Sequence, residues 1–190
     1  MNMEEKLLLN NYLETERLYL RPVTIEDAED MYEYTSDPET VKYMFEVHHN
    51  LDDTKHEILN YFVKEPIGKW GVVLKKTGKF IGNAEMHIDT HNLSAEIGYV
   101  IGRKFWGNGY APEAAIQILE LGFDEMGLKR MYALYCVDNK KSGRVLEKIG
   151  MQKEGVLRNN SQLEGKMVND GLYTMTDEDW QKLRKMGEAF

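Results

Sequence analysis

The sequence has almost no cysteine: Cys136 is the single one among 190 residues. One cysteine cannot form an internal disulfide bond, which excludes a disulfide-stabilised scaffold and fits a reducing compartment. Cys136 lies in the apolar run MYALYCV, and no histidine lies near it in the sequence to activate it as a nucleophile. The sequence therefore favours a buried, structural cysteine and a cytoplasmic protein.

Long apolar runs, repeats and low-complexity segments are also lacking. No stretch approaches the length of apolar residues that a bilayer crossing needs. The N-terminal segment MNMEEKLLLN carries acidic residues where a signal peptide has a basic region. No Pro/Gly-rich linker divides the chain, so we predict one domain, residues 1–190, that does not interact with a membrane.

Positive charge is the third deficit. The chain has 24 Lys and Arg residues against 32 Asp and Glu residues, a formal net charge of -8. Nucleic-acid binding needs a basic surface, so we expect no nucleic-acid partner. The negative field is compatible with a cationic substrate such as an amine, although it also serves ordinary solubility.

The residues that are present indicate both strands and helices. RLYLRPV alternates as a strand, and two or three helices follow it. Three strand-like runs with hairpin links then precede a helix, a strand, a short helix and two further strands. We predict an α+β protein with a mixed, mostly antiparallel sheet and helices on both faces. Two helical stripes are predicted to be buried, namely Ile58, Leu59, Phe62 and Val63, and Ala115, Ile118, Leu119, Gly122 and Met126.

The stretch RKFWGNGYAPEA places two glycines between a strand and a helix. A helix N-terminus has backbone N–H groups without partners, and glycines let a ligand approach them closely. The turn therefore predicts an anion site with donors from Trp106 to Ala111 and from Glu113 onward, because Pro112 has no N–H. Arg103 and Lys104 can add positive charge. The alternative is a tight turn without a ligand, and neither the dinucleotide nor the Walker fingerprint matches.

Two segments together resemble a known family. AEIGYVIGRKFWGNGYAPEA and, after one helix and one strand, VDNKKSGRVLEKIGM are similar to the GNAT superfamily of acetyl-CoA-dependent N-acetyltransferases, and most similar to its RimJ/RimL-type branch. The likeness extends from ETERLYLRPVTIEDAEDMY to VNDGLYTMTDEDW. It implies the GNAT fold, acetyl-CoA as the donor, an amine as the acceptor and no metal.

The resemblance also implies which residues bind the donor. The family's diphosphate loop, Q/R-x-x-G-x-G/A, corresponds to the segment from Lys104 to Gly109, with lysine as a departure at its first position. In the family, a bulge separates the strands before and after the following helix, and the pantetheine arm lies in the gap. The implied coenzyme-binding residues are Gly98, Tyr99, Val100, Ile101, Lys104, Trp106, Gly107, Asn108, Gly109, Tyr110, Ala111, Asn139, Ser142 and Arg144.

Two residues are implied to be catalytic, Glu96 and Ser142. Glu96, on the strand that leads to the glycine turn, is the first candidate for the base that deprotonates the amine, and Glu85 or a relaying water is the reserve. Many family members have a tyrosine that protonates the thiolate where this chain has Leu146, and Ser142 is the proposed substitute. The alternatives are an edge carboxylate for Glu96 and an ordinary helix-start serine for Ser142.

The leading hypothesis is an N-acetyltransferase that moves an acetyl group from acetyl-CoA to a primary amine by direct transfer in a ternary complex. The amine can belong to a protein N-terminus, a polyamine, an amino acid or an antibiotic, and a homodimer is one possible assembly. A non-catalytic acyl-CoA sensor and a nucleotide-binding domain are the alternatives. His87 and His91 flank Asp89 but lack a third ligand at helical spacing, so we expect no metal site.

Overall fold

The computed structural model describes residues 2–187. Its helices and strands, in chain order, are α1 (Met3–Leu9), β1 (Leu13–Glu14), β2 (Leu18–Arg21), α2 (Ala28–Thr35), α3 (Pro38–Val41), α4 (Leu51–Glu57), β3 (Lys69–Leu74), β4 (Phe80–Asp89), β5 (Ser94–Ile101), α5 (Tyr110–Glu120), β6 (Arg130–Cys136), α6 (Lys140–Lys148), β7 (Gln152–Leu163), β8 (Lys166–Thr176) and α7 (Asp177–Lys185). The predicted order is confirmed from β2 onward, whereas α1 and β1 were not predicted.

Eight strands form one sheet in the order β1-β2-β3-β4-β5-β6-β8-β7. Every neighbouring pair is antiparallel except β5 and β6, which are parallel. The connection between these two strands contains α5, because parallel neighbours need a crossover. The prediction of a mixed, mostly antiparallel sheet is confirmed.

Helices cover both faces of the sheet, as predicted. On one face, hereafter the α5 face, α5, α6 and α7 contribute Ile118, Leu146 and Trp180 to the larger core. On the other, the α2 face, α2 and the turn after α4 contribute Met31 and Phe62 to a second core. Successive strand residues point to opposite faces. On β5, the α5 face therefore has Ala95, Ile97, Tyr99 and Ile101, and the α2 face has Glu96, Gly98 and Val100.

The strands β5 and β6 pair only at their first residues. The parallel pairing joins Ser94–Glu96 to Arg130–Tyr132 and then ends. In contrast, β5 stays paired with β4 along its whole length without a register shift. A gap therefore opens between residues 97–101 of β5 and residues 133–136 of β6, toward the start of α5. It is a gap of the kind that the resemblance implies between the strands before and after α5.

The structure confirms one predicted helical stripe and corrects the other. The stripe from Ala115 to Met126 is buried against the sheet. In the other stripe Ile58 and Phe62 are buried, but Leu59 is 51% exposed, and so is Val63 at 47%. Residues 58–63 form a π-helical turn. Ile58 and Phe62, four positions apart, face the sheet, while Leu59 and Val63, which follow them, turn outward.

Local predictions at the ends of two elements also hold. Cys136 is buried at the end of β6. Gly150 closes α6 with φ of 85°, and its N–H donates to the Glu147 carbonyl oxygen at 3.0 Å, while the N–H of Met151 donates to that of Leu146 at 3.1 Å. This is the paired bonding of a Schellman cap. Within residues 2–187, none of the helices combines the length and the apolar character that a membrane crossing requires.

Candidate functional site

The glycine turn joins the end of β5 to the start of α5. Gly107 and Gly109 adopt φ of 79° and 82°, in the left-handed region that other residues rarely occupy. Within residues 2–187, the N–H groups from Gly107 to Ala111 donate to no protein acceptor. The next available N–H, that of Glu113, donates to the Gly109 carbonyl oxygen at 3.1 Å. The turn therefore presents a run of unpaired amides at the N-terminus of an 11-residue helix, which suits an anion.

Trp106 anchors the turn rather than offering its amide. Its N–H donates to the carbonyl oxygen of Arg103 at 3.1 Å, and its indole Nε1–H donates to that of Ile101 at 2.6 Å. The side-chain amide of Asn108 donates to the carbonyl oxygens of Phe105 and Trp106 at 3.1 and 3.2 Å. These bonds shape the turn without using the N–H groups that follow. Among the predicted amide donors, that of Trp106 is thus already occupied.

Arg103 and Lys104, predicted to add charge to the turn, are paired with acidic side chains. Arg103 Nε lies 2.9 Å from a carboxylate oxygen of Asp37, just before α3. Lys104 Nζ lies 3.1 Å from a carboxylate oxygen of Glu33 on α2. Their charges are therefore offset by partners from the α2 face.

Arg17, just before β2, is the cation that contacts the turn. Its Nη1 donates to the Asn108 carbonyl oxygen at 2.9 Å, its Nη2 lies 2.6 Å from the Glu113 carboxylate, and its guanidinium lies 4.8 Å from the centroid of the Tyr110 ring. A trans peptide points its C=O and N–H in opposite directions, so holding this carbonyl turns the next N–H away from Arg17. The sequence has no signal for the contact, because Arg17 lies 91 residues before Asn108.

The start of α6 lies beside the glycine turn. Lys141 Nζ lies 4.0 Å from the centroid of the Trp106 ring, which brings a second cation that sequence reasoning missed. Asn139 Oδ1 accepts a hydrogen bond from the Ser142 N–H at 3.3 Å and caps the helix. Arg144 is exposed two residues further on. The predicted residues of the second motif are therefore on the helix start that adjoins the turn.

Gly98 leaves an open space on the α2 face of β5. A Cβ at this position would meet no atom within 4 Å, and the backbone is not left-handed. The backbone therefore does not require glycine here, and the effect of glycine is to leave room. Glu85 on β4 pairs directly with Gly98, so the alternation of side chains places it on the same face, beside this space.

Polar side chains surround Glu85 on the α2 face. Its Oε2 accepts a hydrogen bond from the Tyr61 hydroxyl at 2.6 Å and lies 3.0 Å from His87 Nε2, and its Oε1 accepts from Asn83 Nδ2 at 3.0 Å. The hydrogen bond to Glu85 raises the pKa of His87 above its usual value, against an opposing effect of partial burial. Glu96 is the cross-strand partner of His87, so both candidate bases lie on this face.

Hydroxyl groups lie on the α5 face of the gap. Tyr99 Oη lies 3.2 Å from the Ser142 carbonyl oxygen and 3.3 Å from Ser142 Oγ. Burial raises the pKa of Tyr99 to about 12. Leu146, where the family pattern has a tyrosine, is 1% exposed and packs in the larger core. The gap is thus flanked by carboxylates on one face and by hydroxyl groups on the other.

Comparison with known proteins agrees with this geometry. A family model described as an acetyltransferase (GNAT) domain matches residues 17–152. The chain belongs to the GNAT family of acetyltransferases. The uncharacterized N-acetyltransferase p20 of Bacillus licheniformis is 32% identical to this GNAT protein, over 88% of the present chain and 97% of the relative. The crystal structure of a GNAT acetyltransferase from Bacillus anthracis has a TM-score of 0.79 at 32% identity, covering 88% of this chain and 99% of that one.

The resemblance to the RimJ/RimL-type branch of the GNAT family is confirmed as well. The ribosomal protein uS5-alanine N-acetyltransferase of Escherichia coli is 31% identical to this chain over 44% of its residues and 43% of the relative. This GNAT protein is thus an acetyl-CoA-dependent acyltransferase.

The residues of the GNAT site fit acetyl-CoA. The unpaired amides from Gly107 to Ala111, with Arg17 and Lys141 nearby, suit the diphosphate of coenzyme A. Beyond Glu96, the edge of β5 that faces β6 has no strand partner, which suits the amide groups of the pantetheine arm. The assignment of single residues to donor contacts stays a prediction. Within residues 2–187 there is no group of three or more His, Cys, Asp or Glu side chains arranged to hold a metal ion.

Proposed function

We propose that this GNAT enzyme transfers the acetyl group of acetyl-CoA directly to a primary amine while both are bound. The gap between β5 and β6 carries the proposal, because it has unpaired amides at its mouth and open space at Gly98. It also has carboxylates on one face and hydroxyl groups on the other. A covalent intermediate on the protein is not needed, since a thioester already carries an activated acetyl group.

On the α2 face, Glu96 is the proposed base. Acetyl transfer needs a neutral amine, and a primary amine is largely protonated at neutral pH. Both carboxylate oxygens of Glu85 already accept hydrogen bonds from three neighbouring side chains, which hold the carboxylate in place for binding of the ammonium form. Glu96 lies on β5 itself, two residues before the space at Gly98 and on the same face. In this division Glu85 binds the amine and Glu96 removes its proton.

On the α5 face, Ser142 is the proposed hydrogen-bond donor to the departing sulfur. The side chain of Asn139 already caps α6, so the Ser142 hydroxyl is not needed for capping, and this favours a functional serine over an ordinary helix-start residue. Glu96 first takes one proton from the ammonium group, which gives the neutral amine. The N–C bond then forms, the C–S bond breaks and its electron pair leaves on sulfur. The second proton that the nitrogen loses goes to this sulfur through water, so that coenzyme A leaves as the free thiol.

The proposed acceptor class is a cationic amine, and a protein N-terminus is one candidate. The polar cluster around Glu85 offers a partly buried carboxylate beside the open space, and the net charge of -8 adds a favourable field. The name of the Escherichia coli relative says that it acetylates an alanine of ribosomal protein uS5. This supports the inclusion of N-terminal peptides beside polyamines, amino acids and antibiotics in an acceptor screen.

The test is the release of free thiol from acetyl-CoA in the presence of these amines. With the best acceptor, Glu96→Gln should lower kcat by about 100-fold or more while acetyl-CoA affinity is retained. Glu85→Gln should mainly raise KM for the amine. Glu154→Gln, which changes a carboxylate bonded to Thr174 on another part of the sheet, is the matched control and should keep full activity.

Two results would contradict the proposal. An unchanged kcat in Glu96→Gln at every pH would remove Glu96 from the mechanism. Tight binding of acetyl-CoA without turnover of any amine in the screen would favour the sensor hypothesis over catalysis.

A further inference from the structure

The hydroxyl group of Tyr99 contacts Ser142 across the gap between β5 and β6. Tyr99 lies on β5, three residues beyond Glu96, the last residue that pairs with β6. Ser142 lies in the first turn of α6, which follows β6 in the chain. The contact therefore joins the two diverging sides of the gap at a depth where backbone pairing has already ended.

We propose that Tyr99 is a positioning residue that orients the Ser142 hydroxyl toward the departing sulfur. This inference rests on the proposed function, because Tyr99 acts through Ser142, the proposed hydrogen-bond donor to the departing sulfur. It goes beyond that function in giving a role to the side-chain hydroxyl of Tyr99, which the family resemblance places only among the coenzyme-binding residues.

The two distances from Tyr99 Oη allow a switch of hydrogen bonds without movement of heavy atoms. The carbonyl oxygen of Ser142 can only accept, and Tyr99 Oη lies 3.2 Å from it and 3.3 Å from Ser142 Oγ. Rotation of the Tyr99 hydroxyl hydrogen about its C–O bond changes the acceptor from the carbonyl oxygen to Oγ. When Tyr99 donates to Oγ, the proton of Ser142 is free to form a hydrogen bond with sulfur, and both hydroxyl groups keep their protons.

The surroundings of Tyr99 suit a permanent donor. Burial raises its pKa to about 12, so the hydroxyl stays protonated at neutral pH. The ring packs against the larger core, and Ser142 supplies the hydrogen-bond partners of the hydroxyl. Replacement of Tyr99 by phenylalanine removes the hydroxyl and retains the ring, so the packing of the core should be preserved.

The experiment compares Tyr99→Phe, Ser142→Ala and the double variant with the best amine acceptor. We expect Tyr99→Phe to lower kcat by roughly five- to tenfold, with the acetyl-CoA Kd and the Tm unchanged. In the Ser142→Ala background, Tyr99→Phe should have no further effect, because it acts only through Ser142. Tyr173→Phe is the matched control, since Tyr173 is a buried tyrosine on β8, outside the gap, whose hydroxyl donates to Glu147 on the same helix α6 at 2.7 Å, and it should keep full activity.

The outcomes separate this inference from the function on which it rests. A normal kcat in Tyr99→Phe, with kcat reduced in Ser142→Ala, would overturn the role of Tyr99 and leave that of Ser142. Fully additive effects in the double variant, or a fall in Tm that accounts for the lost rate, would show a structural role only. A normal kcat in Ser142→Ala would refute the donor role of Ser142, and the role of Tyr99 with it.

Discussion

The substitution Gly98→Val should separate activity from stability. Gly98 lies in a strand with ordinary backbone angles, and a Cβ there meets no atom within 4 Å. Glycine inside a strand costs about 0.5–1 kcal/mol relative to alanine, so a side chain at this position should stabilise the fold. For a domain of this size, that gain corresponds to a rise in Tm of about 1–4 °C.

The same side chain should impair the reaction, because it occupies the space beside Glu85 that we assign to the reacting amine. We expect kcat/KM for the amine to fall at least about tenfold, which corresponds to about 1.4 kcal/mol, and the acetyl-CoA Kd to change less. Free-thiol release measures the first quantity, and titration calorimetry with acetyl-CoA measures the second.

Gly155→Val provides the matched control. Gly155 lies on β7, also with open space around its missing Cβ and without a left-handed backbone, but outside the candidate site. Its substitution should raise Tm by a similar amount and leave kcat/KM unchanged. If Gly98→Val retained full activity, the space at Gly98 would have no part in acceptor binding. If it lowered Tm, the inference that glycine serves only to leave room would be wrong.

Two further predictions concern the glycine turn and the cluster around Glu85. Gly107 and Gly78 have φ of 79° and 71° and open space around each, so Gly107→Trp and the control Gly78→Trp should both cost about 1–2 kcal/mol of stability. Only Gly107→Trp should weaken acetyl-CoA binding, at least about tenfold by calorimetry. Equal affinities of the two variants would place the diphosphate elsewhere. In Glu85→Gln, the pKa of His87 measured by NMR should fall, because its hydrogen bond to the carboxylate raises it in the folded protein. The stabilisation by the Glu85–His87 pair should be full below the usual histidine pKa of about 6.5 and disappear as pH rises through the pKa of His87 in the folded protein. A His87 pKa that does not change in Glu85→Gln would refute the interaction.

The local parts of the site could be predicted from the sequence. The glycine turn, the stripe from Ala115 to Met126 and the cap at Gly150 each depend on residues within one or two turns of chain, and the structure shows all three. The prediction of a buried Leu59 beside Ile58 was wrong, because the apolar pattern does not show which of two neighbouring residues a π-helical turn directs toward the sheet.

The contacts between distant segments could not be predicted. Arg17 reaches the glycine turn from the other end of the chain, and Tyr99 meets Ser142 only because β5 and α6 are neighbours in the fold. Lys104 adjoins the turn in sequence, yet its ammonium is paired with Glu33, 71 residues before it. A side chain with many rotatable bonds takes the partner that the fold offers, and the pattern of nearby residues does not encode that partner.

The divergence of β5 from β6 has a consequence for handling this enzyme. Beyond Glu96 on β5 and Tyr132 on β6, the facing edges of the two strands no longer form main-chain hydrogen bonds with each other. Unpaired strand edges of this kind favour association with other chains. A donor molecule seated between them would act as a substitute strand, and saturation at 100 times Kd would add about 2.7 kcal/mol to the free energy of unfolding. The supply of coenzyme in the cell would then govern the lifetime of the protein as well as the rate of acetyl transfer. Purification with coenzyme A should likewise improve the yield and shelf life of the protein.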